Sequence, residues 1–310
     1  MWLQLIIYAC LIIFAVSLTW RAIRYARMPV HLRWELYPVA HEKGRPYGGS
    51  YLEDPGWWHR PRHINPFGEF STFMGEILFF KEYFKNKRGF WYFVYPFHIG
   101  LFLLLAWAVL LAVGAILSIY GVTVTFASTN VGIGIVYYLT LIVGVIAFTL
   151  GVFGTAGLLI KRLVDEDLKT YTDPIDYFNL VCILIIFATG LAAWIFEDPT
   201  FGLARDYMQG LFTLKAAAAG PIFVTFLLLL SLFLAYMPFT RMLHYVAKYF
   251  TYHKVRWDDA PNANGSRISK EVGALLSQPQ SWSAPHIEKN KTWSEQAAGT
   301  GIADGTDSKK

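Results

Sequence analysis

The chain has 310 residues, of which 55% are hydrophobic and 16% charged. Soluble domains carry about 25% charged residues, so this balance excludes an ordinary water-soluble globule. The net charge of +5 would suggest nucleic acid in a soluble protein, but here it reads as the charge of one membrane face. The two cysteines, Cys10 and Cys182, lie inside apolar blocks. They are too few for an iron–sulfur or zinc cluster and read as small buried apolar residues.

The apolar residues fall in blocks of about twenty, the length a helix needs to cross the hydrocarbon layer. In lipid every backbone N–H and C=O must be paired within the segment, so such blocks are helices. The first covers 2–20. Its basic residues Arg21, Arg24 and Arg27 follow it, whereas a secretory signal carries its charge in front. It therefore reads as a retained helix with its N-terminus outside. The segment 28–92 contains Trp34, Trp57, Trp58 and Trp91 and is too aromatic for a flexible linker. It reads as a folded cytoplasmic cap. Within it, Glu69 to Tyr83 places Phe70, Phe73, Met74, Ile77, Leu78 and Phe80 at helical spacing, which predicts an interfacial helix.

Further spans are expected over 93–119, 131–160, 175–196 and 218–240. The fifth reads on as helix to about residue 250, where Tyr245, Tyr249, Phe250 and Tyr252 form an aromatic belt. Asp173 and Asp176, beside Pro174, suit the start of the fourth span. From about residue 257 the chain is polar and predicts disorder, with Trp282 and Trp293 reading equally as docking points for a partner or as solvent-exposed tail residues. The expected organisation is a first transmembrane helix (1–27), the cap (28–92), a four-helix membrane core (93–250) and a cytoplasmic tail (251–310).

Of the 27 Lys and Arg residues, 25 lie in the segments 21–92, 161–174 and 241–310; only Arg205 and Lys215 lie in the opposite connections. The positive-inside rule puts the basic side in the cytoplasm. The expected fold is all-α: an integral five-helix bundle of the cell inner membrane, N-terminus outside and C-terminus cytoplasmic.

Eight histidines are present, and only His98 lies in an expected span. Coordinating side chains in a span are costly and mark function. His98 sits in Tyr95-Pro96-Phe97-His98-Ile99-Gly100, about two turns inside the cytoplasmic end of the second span. His244 closes Pro238-Phe239-Thr240-Arg241-Met242-Leu243-His244 at the cytoplasmic end of the fifth. Topology gives them similar depth. Alone, each reads as well as an interfacial histidine; together they suit the two axial positions of a haem iron, a ligation that serves electron transfer. Arg241 suits a propionate by charge and fork geometry, and Gly100 would let a macrocycle approach its helix. His31, His41, His59 and His63 in the cap read as packing or surface residues.

At these motifs the chain resembles a known family. Phe97-His98-Ile99-Gly100 resembles the Phe-His-Ile-Gly motif of the membrane gamma subunit of respiratory nitrate reductase. Pro238 to His244 resembles that subunit's Pro-Phe-Ser-Arg-x-x-His at the end of its fifth helix. The insert with Arg33-Trp34-Glu35-Leu36-Tyr37-Pro38-Val39-Ala40-His41-Glu42 is more similar to the cytochrome b subunits of the Tmc, Hmc and Dsr membrane complexes of sulfate reducers, the Tmc type above all. The resemblance implies haem b, exchange of electrons with menaquinone, and a cytoplasmic iron–sulfur partner of the heterodisulfide-reductase type. In that branch a periplasmic multihaem cytochrome c is often present too. The positions that answer to the family's second ligand pair hold Ala108 and Phe226, which implies that the haem nearer the outer face is absent and one haem remains.

Polar candidates for a quinone site are Glu76, Lys81 and Glu82, and the run Lys161, Arg162, Asp165, Glu166 and Asp167, though that run reads better as a solvated loop. No nucleotide-binding glycine motif, catalytic triad or metal-hydrolase motif appears, so no self-contained catalytic site is expected. Two readings stand: a quinone-linked redox subunit with one haem b, and a haem-free membrane anchor or quinone-binding scaffold for soluble redox subunits.

Overall fold

The computed structural model describes residues 1–28, 65–256 and 263–299. Most of the expected cap, with Trp34, Trp57, Trp58, His31, His41, His59 and His63, lies outside the described residues. In chain order the helices begin with α1 (Trp2–Ala26), α2 (Pro66–Leu78), α3 (Lys81–Asn86), α4 (Arg88–Ile119), α5 (Val131–Val164) and α6 (Glu166–Thr170). They continue with α7 (Pro174–Phe196), α8 (Gly202–Thr213), α9 (Pro221–Tyr236), α10 (His244–Phe250), α11 (Arg267–Leu276) and α12 (Trp293–Gly299). Among the described residues there is no strand, only isolated bridges. Among the described residues, five segments are long and apolar enough to cross a membrane: α1, α4, α5, α7 and Pro221–Phe239, which begins as α9. The protein is an all-α, multi-pass membrane protein.

Two expected helices are broken. The interfacial stretch Glu69 to Tyr83 is divided between α2 and α3 by Phe80, whose backbone is left-handed (φ 50, ψ 49). The fifth span stops short of residue 250 because Pro238 removes a backbone donor. A 3-10 turn, Met237–Phe239, follows α9, and Thr240 is extended. The Thr240 hydroxyl donates to the Met237 carbonyl at 2.8 Å and accepts the Met242 N–H at 3.1 Å. It thereby caps a second turn, Arg241–Leu243.

The chain divides into two compact units, Met1–Thr19 with Ser71–Leu243 and Trp20–Phe70 with His244–Lys310. In the first, α4 and α5 meet backbone to backbone. A Cβ on Gly100 would lie 2.7 Å from the Gly151 nitrogen, and one on Gly154 would strike the backbone of Phe97. Lipid supplies no hydrophobic drive between helices, so close small-residue packing of this kind holds them together. Phe148, Phe187 and Phe226 are almost fully buried, and Trp107 meets Phe148 edge-on at 5.3 Å between ring centroids.

Helix α1 is tied in by polar contacts. The buried Gln4 donates from Nε2 to the Lys215 carbonyl at 2.7 Å, and the Tyr8 hydroxyl donates to the Leu211 carbonyl. A buried amide without a partner would cost several kcal/mol (roughly 2–7). At the end of α7 two adjacent carboxylates cap two helices. Glu197 accepts the N–H groups of Ile222 and Phe223, each at 2.8 Å, at the start of α9. Asp198 accepts those of Gly202 and Ala204, each at 2.8 Å, at the start of α8. Both satisfy first-turn donors that have no intrahelical partner.

The second unit carries a folded segment at 263–299, where composition predicts disorder. Ser266 caps α11 by accepting the Ser269 N–H at 3.1 Å, and Ile268 is buried. Thr292 and Glu295 form a reciprocal capping box at the start of α12 (3.2 and 2.7 Å). The Gln296 side chain exchanges hydrogen bonds with the Glu288 backbone (2.6 and 3.1 Å). Trp282 and Trp293 lie edge-on at 6.4 Å. Polar satisfaction and these few apolar contacts replace the missing large core.

Candidate functional site

His98 lies on α4, two residues after Pro96, and is half-buried. Its Nδ1 lies 2.8 Å from the Val94 carbonyl. A carbonyl only accepts, so this contact places the proton on Nδ1 and the lone pair on Nε2. An imidazole oriented through Nδ1 to a carbonyl is the usual arrangement of a metal-ligating histidine. Among the described residues, the rings of Phe80, at 4.6 Å between centroids, and of Phe97, edge-on at 4.8 Å, flank it.

His244 is the first residue of α10, in the second unit, and its side chain is exposed. The turn that delivers it is built by Pro238 and Thr240, as described above. Arg241, in that turn, is already engaged. Its Nη2 lies 2.7 Å from Asp173 Oδ2 and its Nη1 3.9 Å from Asp176 Oδ2. The guanidinium fork thus meets acidic residues at the start of α7, where Asp176 also accepts the Asp173 N–H at 3.3 Å. An exposed pair of this kind contributes only about 0–1 kcal/mol. Gly100, read from the sequence as room for a macrocycle, is buried against Gly151. The structure gives it a helix-packing role, because any side chain there would push α5 away.

The donor chemistry at His98 fits an axial haem ligand. The positions Ala108 and Phe226 do not. Neither side chain can ligate iron, and Phe226 is 0% exposed. Its ring lies 5.5 Å from Phe148, 6.3 Å from Trp107 and 6.1 Å from Phe223. Trp107, Phe148, Phe223 and Phe226 border a small cavity in this part of the bundle.

Among the described residues no group of three or more His, Cys, Asp or Glu gathers as a metal site. The polar run at the end of α5 behaves as a self-contained connection. Asp165 caps α6 through the Leu168 N–H at 3.2 Å, Arg162 donates to the Thr172 hydroxyl at 2.8 Å, and Lys169 pairs with Glu166 at 3.6 Å in an exposed position. Glu82 accepts from Asn86 Nδ2 at 2.9 Å on α3.

Three features escaped the sequence reading. One is the ring clamp on His98 from Phe80. Another is the Glu197–Asp198 double cap, for which the only signal was an acidic pair at the end of the fourth span. The third is Arg205, 5% exposed. Its Nη1 donates to the Val124 carbonyl at 3.2 Å and its side chain fills the notch at Gly114. Burial lowers its pKa, against the opposing pull of Asp206 and Asp198. It ties α8 to the connection after α4.

A family model described as the nitrate reductase gamma subunit matches residues 84–258, more than half of the chain. The match includes His98, Arg241 and His244. No curated protein and no solved structure matches the chain significantly.

Proposed function

The chain belongs to the nitrate reductase gamma subunit family, the cytochrome b membrane subunits of redox complexes, and from that premise we propose that it carries one haem b between His98 and His244. His98 and His244 would hold the haem iron, and the haem would supply one-electron transfer. His98 would bind with its proton kept on Nδ1 by the Val94 carbonyl. His244, which follows the Thr240 turn, would be the second ligand, and Arg241 would serve a propionate. The observation that carries this reading is the contrast inside one bundle: an oriented imidazole at His98 and a buried phenylalanine at Phe226.

In the wider reading the subunit lies in the cell inner membrane, N-terminus outside. Residues 93–250 form its haem-binding core, with the cap (28–92) and the tail (251–310) on the cytoplasmic side. It exchanges electrons between menaquinone and a cytoplasmic iron–sulfur protein of the heterodisulfide-reductase type, as the likeness to Tmc-type subunits suggests. A periplasmic multihaem cytochrome c is a further partner of that reading. One haem near the inner face does not bridge the membrane by itself, so either the quinone exchanges close to it or a second subunit completes the path.

Reduction by a menaquinol analogue tests the proposal. Purified complex given the quinol should develop the absorption bands of reduced b-type haem. A preparation with no haem bands under dithionite would leave the anchor reading in its place.

A further inference from the structure

We propose that Phe80 is a positioning residue for His98: its ring, held by a left-handed link between α2 and α3, fixes the plane of the imidazole. The inference rests on the reading of His98 as an axial ligand.

Phe80 has φ 50, and it is one of four non-glycine residues with positive φ among the described residues. For a bulky aromatic this backbone is a real outlier. Such conformations persist where the surroundings over-determine them, and they gather at functional sites. The surroundings here are explicit. The Trp91 indole donates to the Phe79 carbonyl at 3.0 Å. Trp91 is itself stacked on Tyr95, at 4.6 Å and 16°. The Phe84 N–H returns to the Phe80 carbonyl at 3.0 Å and starts α3. A glycine would accept this backbone without strain, so what phenylalanine adds is its ring. That ring lies 4.6 Å from the His98 imidazole, tilted by 42°.

The imidazole is thus held by contacts on several sides. Val94 sets the proton and the hinge, Phe97 meets the ring edge-on, and Phe80 covers it from the neighbouring link. Groups behind a ligand set its orientation and thereby tune the metal. The angle of an axial imidazole about the iron–nitrogen bond governs the g anisotropy of low-spin ferric haem, so the clamp has a spectroscopic signature that general packing lacks.

The experiment uses the full-length chain, purified oxidised, with haem content and low-temperature electron paramagnetic resonance read on each variant. Phe80→Leu and Phe80→Gly both remove the ring, but only the second relaxes the backbone. Both should keep haem and shift the largest g value in the same direction. Phe80→Tyr, which keeps the ring, should keep the parental spectrum. Parental g values in both ring-less variants would overturn the proposal, as would a shift confined to Phe80→Gly, which would assign the effect to the backbone. His98→Ala separates the two ideas. If it loses haem while the Phe80 variants keep parental g values, the ligand stands and the clamp falls. If His98→Ala keeps all its haem, the ligand reading fails and the clamp fails with it.

Discussion

The two ends of the membrane unit use aromatic residues in opposite ways. At His98, rings from Phe80 and Phe97 flank a polar side chain whose Nδ1 meets a backbone carbonyl. Toward the other end, Trp107, Phe148 and Phe226 pack edge to face with one another and enclose no polar ligand. The same residue types orient a functional group in one place and fill space in the other. The deciding difference is a single imidazole: a histidine needs an acceptor and room on one side, whereas phenylalanine needs neither.

Variants at the two ends should therefore separate haem content from stability. The largest effect is expected at the proposed ligands: His98→Ala or His244→Ala should remove the haem, read as loss of the Soret band from purified protein. Full haem in both would erase the contrast. Phe226→Ala should cost about 3–5 kcal/mol of stability through the cavity it leaves, with haem per chain unchanged. Thermal denaturation beside a haem assay checks both parts. Gly154→Ala would drive a methyl into the Phe97 backbone and should cost about 1–3 kcal/mol. Because Phe97 adjoins His98, this variant should also perturb the haem spectrum, which Phe226→Ala should not. Asp198→Ala, removing a helix cap, should cost about 0.5–2 kcal/mol and leave the spectrum alone. Arg241→Gln should change stability by under about 1 kcal/mol, yet alter the midpoint potential if the guanidinium serves a propionate.

The sequence made the spans legible because lipid imposes one rule on every backbone group, and block length reports it directly. The expected span over 131–160 and the observed Val131–Val164 begin at the same residue. The ends governed by local stereochemistry were harder. Pro238 is a visible breaker, but the Thr240 turn that follows depends on two hydrogen bonds of one hydroxyl. The left-handed Phe80 leaves no trace in periodicity, since its side chain still falls at a helical position. Gly100 shows the limit of reading a residue for its permissiveness: a glycine admits a macrocycle or a second helix equally well, and here Gly151 lies against it. In the tail, low apolar content predicts disorder, yet the Thr292-x-x-Glu295 box is a start signal of the kind that sequence can show. His98 stood out because a lone imidazole in a span has few other reasons to be there. Its hydrogen bond to Val94 and the ring of Phe80 are properties of the folded chain.

The most direct test of the central claim is the quantity of haem b per chain in purified protein, measured as the pyridine haemochrome with cytochrome c counted separately. The account predicts one. Two would mean that the end around Phe226 holds a haem despite its packed side chains, and none would mean that His98 and His244 serve a membrane anchor.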